Sequence, residues 1–485
     1  MKNIIVLIFT LLLLVSTACG QTRKENDNIQ RIDYYLSELK NIGFNGSILI
    51  ELNDEIIISK GYGFSNREKL IKNTPHTVFD IGSITKQFTA AAIMKLEMQG
   101  KLSTDDKISK FLKNIPGDKE KIKIHDLLRH QSGLISNVGK DYEKIDKEEF
   151  LTKVLSSDLR FLVGSDFSYS NVGYSLLAMI IEKVSGETYE NYLYENLWKP
   201  ADMRTTGYTR PAFDTIRIAV GYYRDNTVWG KPTEKEWDKT APYWHLVGNG
   251  GILSTTEDLY KWHKALMNDV VLSNGAKDKL YKPKLRARET ETSYYAYGWD
   301  AFKTDRNTLR LWHNGGNNIV YADFVRFIEE GTTLIMLSNK SHPHFDELNQ
   351  EISKIIFDPN YIPIIPAADN EINRNFTNHI IETIQDFGLE KAKIEYQKKD
   401  NQNVIEFIMR GEGLNHLYNG KPEIAMQIFQ MNVFTHPTTA KALQSLGEGY
   451  METGNKELAL KYFKESLDIN PDNPFANEMI KKLEE

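Results

Sequence analysis

The fold is decided by the stretch Phe79-Asp80-Ile81-Gly82-Ser83-Ile84-Thr85-Lys86-Gln87-Phe88-Thr89-Ala90-Ala91-Ala92-Ile93. It predicts a strand end, a tight turn at the glycine, and then a helix that ends near Gly100. Residues three apart share one face of a helix, so Ser83 and Lys86 are expected to lie side by side. A lysine with a lowered pKa can take the proton of a serine hydroxyl and make it a nucleophile.

The Ser-x-x-Lys spacing is a weak signal by itself, because both residue types are common. Ser37 and Lys40 have the same spacing, in a segment that reads as an amphipathic surface helix. The assignment of Ser83 as a nucleophile therefore depends on other segments of the chain.

Length and charge restrict the possible classes of function. The chain has 485 residues, which is enough for two or three domains with real cores. Its formal net charge is -6 at pH 7, so neither a nucleic-acid partner nor binding to an acidic membrane surface is expected. Hydrophobic residues make up 41% and charged residues 26%, which is typical of a soluble protein.

The first 19 residues predict a signal peptide. A short basic start is followed by the apolar run Ile4 to Val15 and by small residues up to Ala18. Cys19 is the only cysteine, and its position favours a lipoprotein signal with a lipid anchor on this residue, although Ser16 stands where an aliphatic residue is usual. The alternative is ordinary cleavage after Ala18. In both cases we expect export across the inner membrane, to the periplasm or to a membrane anchor, with no disulfides.

The strand pattern predicts an α+β fold. Phe44 to Leu52 and Glu55 to Tyr62 read as a hairpin around Asn53-Asp54, and further strands are expected around 297–302, 309–313, 320–327 and 333–337. Helices lie between the early and the late strands. This order favours an antiparallel sheet flanked by helices, together with an all-helical cluster.

Two polar motifs resemble ligand sites but are interpreted as structural. His125 and His130 lack a third ligand at suitable spacing, and the pair His342 and His344 is expected to be a polar loop. The run Gly248 to Glu257 lacks the spacing of a phosphate loop, and we expect Ser254 and Glu257 to form a capping box. We therefore predict no metal and no cofactor.

The last part of the chain contains an internal repeat. After the proline-rich linker 359–366, four residues recur at an offset of 34: Gly420, Ala425, Phe429 and Pro437 are followed by Gly454, Ala459, Phe463 and Pro471. This period predicts helix-turn-helix repeats of the tetratricopeptide type, and the better copy spans about 440–473. An earlier degenerate pair is expected within 375–398, and a capping helix within 475–483.

Three motifs occur in a defined order: Ser83-x-x-Lys86, Tyr169-x-Asn171 and His313-Asn314-Gly315. Together with the runs 127–134 and 250–255 they resemble the serine β-lactamase and penicillin-binding peptidase superfamily, chiefly its class C and esterase-like branch. The resemblance covers roughly residues 29–357. A linker with helices is then expected over 358–402, and the repeats with their capping helix over 403–485.

The resemblance implies a role for each motif residue. Ser83 would become acylated, and Lys86 and Tyr169 would form the acid/base pair, with a lowered pKa on the phenol. Asn171 would hold Lys86 or the substrate amide, and the third motif, with His313, Asn314, Gly315 and Gly316, would bind substrate. The backbone N–H groups of Ser83 and Gly316 would form the oxyanion hole.

His313 departs from the lysine of true β-lactamases. A histidine with an ordinary pKa of about 6.5 would hold a substrate carboxylate more weakly and in a pH-dependent way. The sequence therefore favours an esterase, amidase or D-amino-acid peptidase over a dedicated β-lactamase. Trp229, Trp237, Tyr243, Trp244 and His245 suggest an aromatic wall of the cleft.

Two functions from different classes follow. The first is an exported serine hydrolase that acts by an acyl-enzyme on a small-molecule or peptide substrate. The alternative is a partner-binding repeat protein whose hydrolase fold is weakly active or inactive. In either case the repeats could bind a protein or peptide, and a purely stabilising role for them is an equal alternative.

Overall fold

The computed structural model describes residues 28–223, 226–235, 242–282, 293–317, 319–342, 345–368, 370–471 and 473–484. It contains an antiparallel sheet with helices on both faces, followed by an all-helical region. The predicted fold class is therefore confirmed. The predicted signal peptide, with Cys19, lies outside the described residues, and the predicted domain boundaries stay predictions.

The main sheet has seven strands, β1 to β7 in chain order. They span Gly46–Leu52, Glu55–Tyr62, Ser293–Tyr295, Asp300–Lys303, Leu309–Gly316, Tyr321–Phe327 and Thr332–Ser338. The spatial order is β2-β1-β7-β6-β5-β4-β3, with every neighbouring pair antiparallel. The sheet therefore joins the first hairpin of the chain to strands from its middle.

The first hairpin forms as predicted. Asn53 and Asp54 connect β1 to β2 with φ angles of 52° and 64°. Two consecutive positive φ angles are the mark of the tight turn that matches the twist of a hairpin, and asparagine and aspartate tolerate this region well.

Helices cover both faces of the sheet, and further helices form the all-helical region that follows it. Labelled α1 to α16, they span 28–38, Thr85–Met98, Ile124–Leu128, Lys147–Ser156, Asn171–Ser185, Tyr189–Leu193, Thr256–Met267, Asn274–Tyr281, Phe345–Phe357, Glu371–Phe387, Leu389–Gln397, Glu406–Tyr418, Pro422–Thr435, Ala440–Glu452, Lys456–Ile469 and Pro474–Glu484. The core around α2 and α5 packs on one sheet face. Helices α1 and α9 pack on the other.

Several predicted boundaries are corrected. The strand expected around 297–302 begins at Asp300, because Gly298 turns the chain with a φ of 72° between β3 and β4. The expected capping box is wrong: the N-cap of α7 is Thr255, which accepts from Asp258 N at 3.1 Å. Ser254 instead pairs with Phe79 in a short bridge of two strands.

The helical region contains the predicted repeats. Helices α12 and α13 form the first copy, α14 and α15 form the second, and α16 caps them. The degenerate earlier pair is α10 and α11, separated by Gly388 with a φ of 83°. Among the described residues, no helix is both long and apolar enough to cross a membrane.

Gly413 and Gly447 are a fifth pair of residues that are 34 positions apart, and the packing of the repeats explains why both are glycine. A Cβ on Gly447 would lie 3.0 Å from the ring of Phe463, and one on Gly413 would lie 2.3 Å from the ring of Phe429. Each glycine therefore lets the aromatic ring of the second helix approach the backbone of the first.

We expect Gly413→Ala to destabilise the repeats by roughly 1–2 kcal/mol, because overpacking against a buried ring outweighs the gain in helix propensity. Gly411→Ala in the same helix is the matched control, since its Cβ would meet nothing within 4 Å. That control should be neutral or stabilising by up to about 1 kcal/mol. Urea unfolding with hydrogen exchange over 406–435 measures both, and equal protection in the two variants would contradict the packing argument.

Candidate active site

A short glycine turn presents Ser83. The bridge strand Phe79–Asp80 ends at the turn, where Gly82 has a φ of 49° and donates its N–H to Asp80 Oδ1 at 2.8 Å. Ser83 lies in a 3-10 turn, Gly82–Ile84, that leads directly into α2. The nucleophile candidate therefore precedes the α-helix on which Lys86 lies, and the two side chains still meet.

Lys86 connects three separate segments. Its Nζ donates to Ser83 Oγ at 2.9 Å, to Asn171 Oδ1 at 2.7 Å and to the carbonyl of Asn249 at 2.8 Å. The side chain is fully buried. An ammonium group would donate to all three of these oxygens, whereas a neutral amine donates to Asn171 and Asn249 and accepts from the Ser83 hydroxyl with its lone pair.

Asn171 and Tyr169 lie at the start of α5. The helix begins at Asn171, because Ser170 caps it by accepting from Gly173 N at 3.1 Å. Tyr169 is on the preceding loop, and its ring lies 4.8 Å from Lys86 Nζ. Ser170 N donates to His130 Nδ1 at 3.0 Å, and the His130 ring lies 4.3 Å from that of Tyr169. His130 thus supports this loop.

The electrostatics favour Lys86 over Tyr169 as the base. Burial lowers the pKa of Lys86 well below its usual value, and the charge of Asp141 opposes this only in part. Burial raises the pKa of Tyr169. The hydrogen bond with the Ser83 hydroxyl lowers this pKa in part, and the charge of Asp300 raises it further. The expectation of a lowered phenol pKa is therefore wrong. The site can move a proton from Ser83 to a neutral Lys86, with Tyr169 as a neutral phenol.

Strand β5 lies directly on the Ser83 turn. A Cβ on Gly315 would lie 2.1 Å from the carbonyl oxygen of Ile81 and 2.6 Å from Ser83 N, and one on Gly82 would lie 2.5 Å from Gly316 N. Both positions require glycine, because backbone meets backbone there. The backbone nitrogens of Ser83 and Gly316 are thereby brought to the same small space, as an oxyanion hole requires.

His313 is buried and neutral. Burial lowers its pKa to about 3, and Lys86 adds to the lowering. Its Nε2 is 2.9 Å from Tyr295 Oη, and its Nδ1 contacts the carbonyl of Asn314. A carbonyl only accepts, so Nδ1 carries the proton and Nε2 accepts from Tyr295. The expected pH-dependent anchoring of a carboxylate by His313 is therefore wrong near neutral pH, because this ring does not titrate there.

Comparison with known proteins identifies the family. The family model described as Beta-lactamase matches residues 45–355, and the model described as Tetratricopeptide repeat matches residues 440–473. The chain belongs to the beta-lactamase family. It is 32% identical over 331 residues to the putative penicillin-binding protein PbpX of Bacillus subtilis (strain 168), which covers 68% of this chain and 80% of that protein.

Solved structures agree with this family. The penicillin binding protein from Bacillus halodurans matches with a TM-score of 0.58 and 26% identity, covering 66% of this chain and 98% of that one. The class C beta lactamase from Rhodobacter sphaeroides matches with a TM-score of 0.58 and 18% identity, covering 68% and 98%, and shows the fold alone. As a member of the beta-lactamase family, the chain is a serine hydrolase.

Sequence reasoning missed several residues of this beta-lactamase family site. Asn249 lies in the glycine run that the sequence marks only as structural, yet its carbonyl accepts from Lys86. Asn137 Oδ1 accepts from Asn171 Nδ2 at 2.8 Å, and Tyr142 Oη donates to Asp80 Oδ2 at 3.3 Å. For Asn249, the surrounding glycines are the one sequence signal of a close backbone approach. The 137–142 segment has no motif that could have revealed the others.

The other sequence interpretations near the cleft have mixed outcomes. Tyr243 and His245 are buried, Trp244 is half-buried, and Trp237 lies outside the described residues, so an aromatic wall of the cleft stays a prediction at these positions. Trp229 packs on Tyr142 with ring centroids 5.1 Å apart. In the part of the chain that the structure describes, no three His, Cys, Asp or Glu side chains are grouped to hold a metal ion.

We expect Gly315→Ala to reduce the acylation rate by at least about 100-fold, as losing one oxyanion donor does. The new methyl group would push β5 off the Ser83 turn and open the oxyanion hole. Gly117→Ala is the control, because its Cβ would meet nothing within 4 Å. Labelling kinetics with a fluorophosphonate measure the effect, and a wild-type rate in Gly315→Ala would refute the proposed contact.

Proposed function

We propose that this protein is an acyl-enzyme hydrolase of esters, amides or peptides, with Ser83 as the nucleophile. Ser83 Oγ attacks the carbonyl carbon while its proton passes to the neutral amine of Lys86. The negative oxygen is held by the N–H groups of Ser83 and Gly316. Tyr169 gives its proton to the leaving group and is reprotonated from Lys86, and water then hydrolyses the acyl-enzyme.

One observation carries this proposal: Lys86 Nζ is hydrogen-bonded to Ser83 Oγ at 2.9 Å in a fully buried position. Burial disfavours the ammonium form, so the amine beside the hydroxyl can accept a proton. General base catalysis by a positioned side chain contributes typically about 10²–10⁴-fold.

The substrate is proposed to be an ester or a D-amino-acid peptide and not chiefly a β-lactam. The supporting observation is the neutral His313, whose two ring nitrogens are already engaged. It provides no fixed positive charge for the carboxylate of a penicillin. The similarity to penicillin-binding proteins supports acylation of the same serine by a β-lactam.

Fluorophosphonate labelling tests the nucleophile. We expect wild-type protein to be labelled and Ser83→Ala to be unlabelled, while Lys86→Ala reacts at least 100-fold more slowly because the base is gone. Ser37→Ala is the matched control, since that serine has the same spacing to a lysine. An unlabelled wild type would favour the alternative of a partner-binding repeat protein. Penicillin turnover much faster than that of any simple ester would reject the substrate class.

We also propose that the protein is exported and anchored by lipid on Cys19. The support is the apolar run that ends at small residues directly before this cysteine. Mass spectrometry of the mature N-terminus is expected to find an acylated Cys19 in the membrane fraction, and Cys19→Ser should release or misprocess the protein. A free thiol at this position in a soluble mature form would contradict the anchor and leave export intact.

A further inference from the structure

We infer that Asp141 binds an ammonium group on the acyl part of the substrate and makes the cleft select cationic over anionic substrates. This inference rests on the proposed function, because it concerns the acyl group that Ser83 receives. It concerns a residue of the 137–142 segment, which we call the cleft loop.

The cleft loop is fixed to the reacting elements at both ends. At one end Asn137 Oδ1 accepts from Asn171 Nδ2 at 2.8 Å, and Asn171 in turn accepts from Lys86. At the other end Tyr142 Oη donates to Asp80 Oδ2 at 3.3 Å, and Asp80 holds the turn that presents Ser83. Asp141 therefore lies on a segment that spans the cleft from one reacting element to the other.

Asp141 has no partner of its own. Its carboxylate is half-buried and makes no hydrogen bond or ion pair with any described residue. Lys86 and His245 are near enough to act on the pKa of Asp141, but neither is paired with it. The Lys86 amine is already engaged by Ser83, Asn171 and Asn249, and burial lowers the pKa of His245, which disfavours its cationic form. A carboxylate that is partly removed from water and left unpaired is costly. A cationic group of the substrate would provide the missing partner.

The charges around the reacting groups have the opposite sign from those that a carboxylate substrate needs. Asp141 acts on Lys86, and Asp300 acts on Tyr169, so the charged groups that shift these two side chains are acids. His313 occupies the third motif as a neutral ring. Arg160 on the rim is exposed and already donates to Ser136 and Ser168. Lys140, next to Asp141, is also exposed.

The packing of Tyr169 and of the cleft loop indicates on which side of the reacting carbonyl Asp141 lies. Tyr169 protonates the leaving group in the proposed reaction, so the leaving group lies beside its hydroxyl. Tyr169 packs on Tyr295 of β3 and on His313 of β5, with ring centroids 6.2 and 6.3 Å apart. The cleft loop packs elsewhere: the Tyr142 ring lies on Trp229, and Gly139 approaches the ring of His245. Asp141 therefore lies on the side away from the leaving group, where the acyl part of the substrate must extend.

Protection against labelling tests this without requiring turnover. The measurement is the ligand concentration that halves the fluorophosphonate labelling rate of Ser83 at about pH 6.5, where an α-amino group is charged. Three ligands of similar size are compared: D-alaninamide, which is cationic, isobutyramide, which is neutral, and malonamate, which is anionic. For wild type we expect D-alaninamide to protect at about ten- to hundredfold lower concentration than isobutyramide, as a charge-assisted hydrogen bond allows. Malonamate should protect least.

Two variants locate the effect. Asp141→Asn should bring D-alaninamide to within about twofold of isobutyramide, because the amide keeps the shape and loses the charge. Glu143→Gln is the matched control, because it removes one charge from an exposed residue two positions along that does not act on Lys86. This control should keep the preference for the cation.

Several results would overturn the inference. Equal protection by the three ligands in wild type would do so, and so would a preference that persists in Asp141→Asn or disappears in Glu143→Gln. The wild-type comparison needs no variant to fold, and labelling of each variant reports that its Ser83 site is intact. Wild type that labels without charge preference rejects only the role of Asp141, whereas wild type that does not label rejects the proposed hydrolase itself.

Discussion

The buried amine of Lys86 is the interaction on which the site depends. It is held by the Ser83 turn, by the first residue of α5 and by the carbonyl of Asn249, which are far apart in the chain. A buried donor that loses an acceptor costs about 1–3 kcal/mol, and more when it is charged. Correct placement of Lys86 therefore requires all three segments to be in their native positions at the same time. The same burial lowers its pKa, so the constraint that assembles the site also prepares the base.

A second constraint is the contact between two backbones. Gly315 on β5 and Gly82 in the turn each occupy a place where a Cβ would overlap main-chain atoms of the other segment. This contact sets the distance between sheet and helix at the nucleophile, and a tight site is obtained only with glycine on both sides.

The features that the sequence could predict are those set by residues close together in the chain or by a repeated spacing. The hairpin at Asn53-Asp54, the Ser83 turn with its helix and the 34-residue offset all depend on residues close in the chain or on a fixed period. Features set by tertiary burial could not be predicted. The neutral state of His313 and the raised pKa of Tyr169 come from what surrounds them in space. Asn249 accepts from Lys86 through its backbone carbonyl, which every residue type has, so the sequence does not reveal this contact.

The position of the repeats restricts what they can do for the hydrolase. Lys354 on α9 donates to the carbonyl of Ile469 on α15 at 3.0 Å, and His342 packs on Phe407 of α12. Helix α9 covers one face of the sheet, whereas α2 and α5, which carry Lys86 and Asn171, cover the other. A protein or peptide bound by the repeats would thus be separated from the cleft by the sheet, and it would act on the location of the enzyme more directly than on its choice of substrate. Substrate selection must then come from the cleft itself, where the cleft loop and β5 provide the charged and neutral side chains.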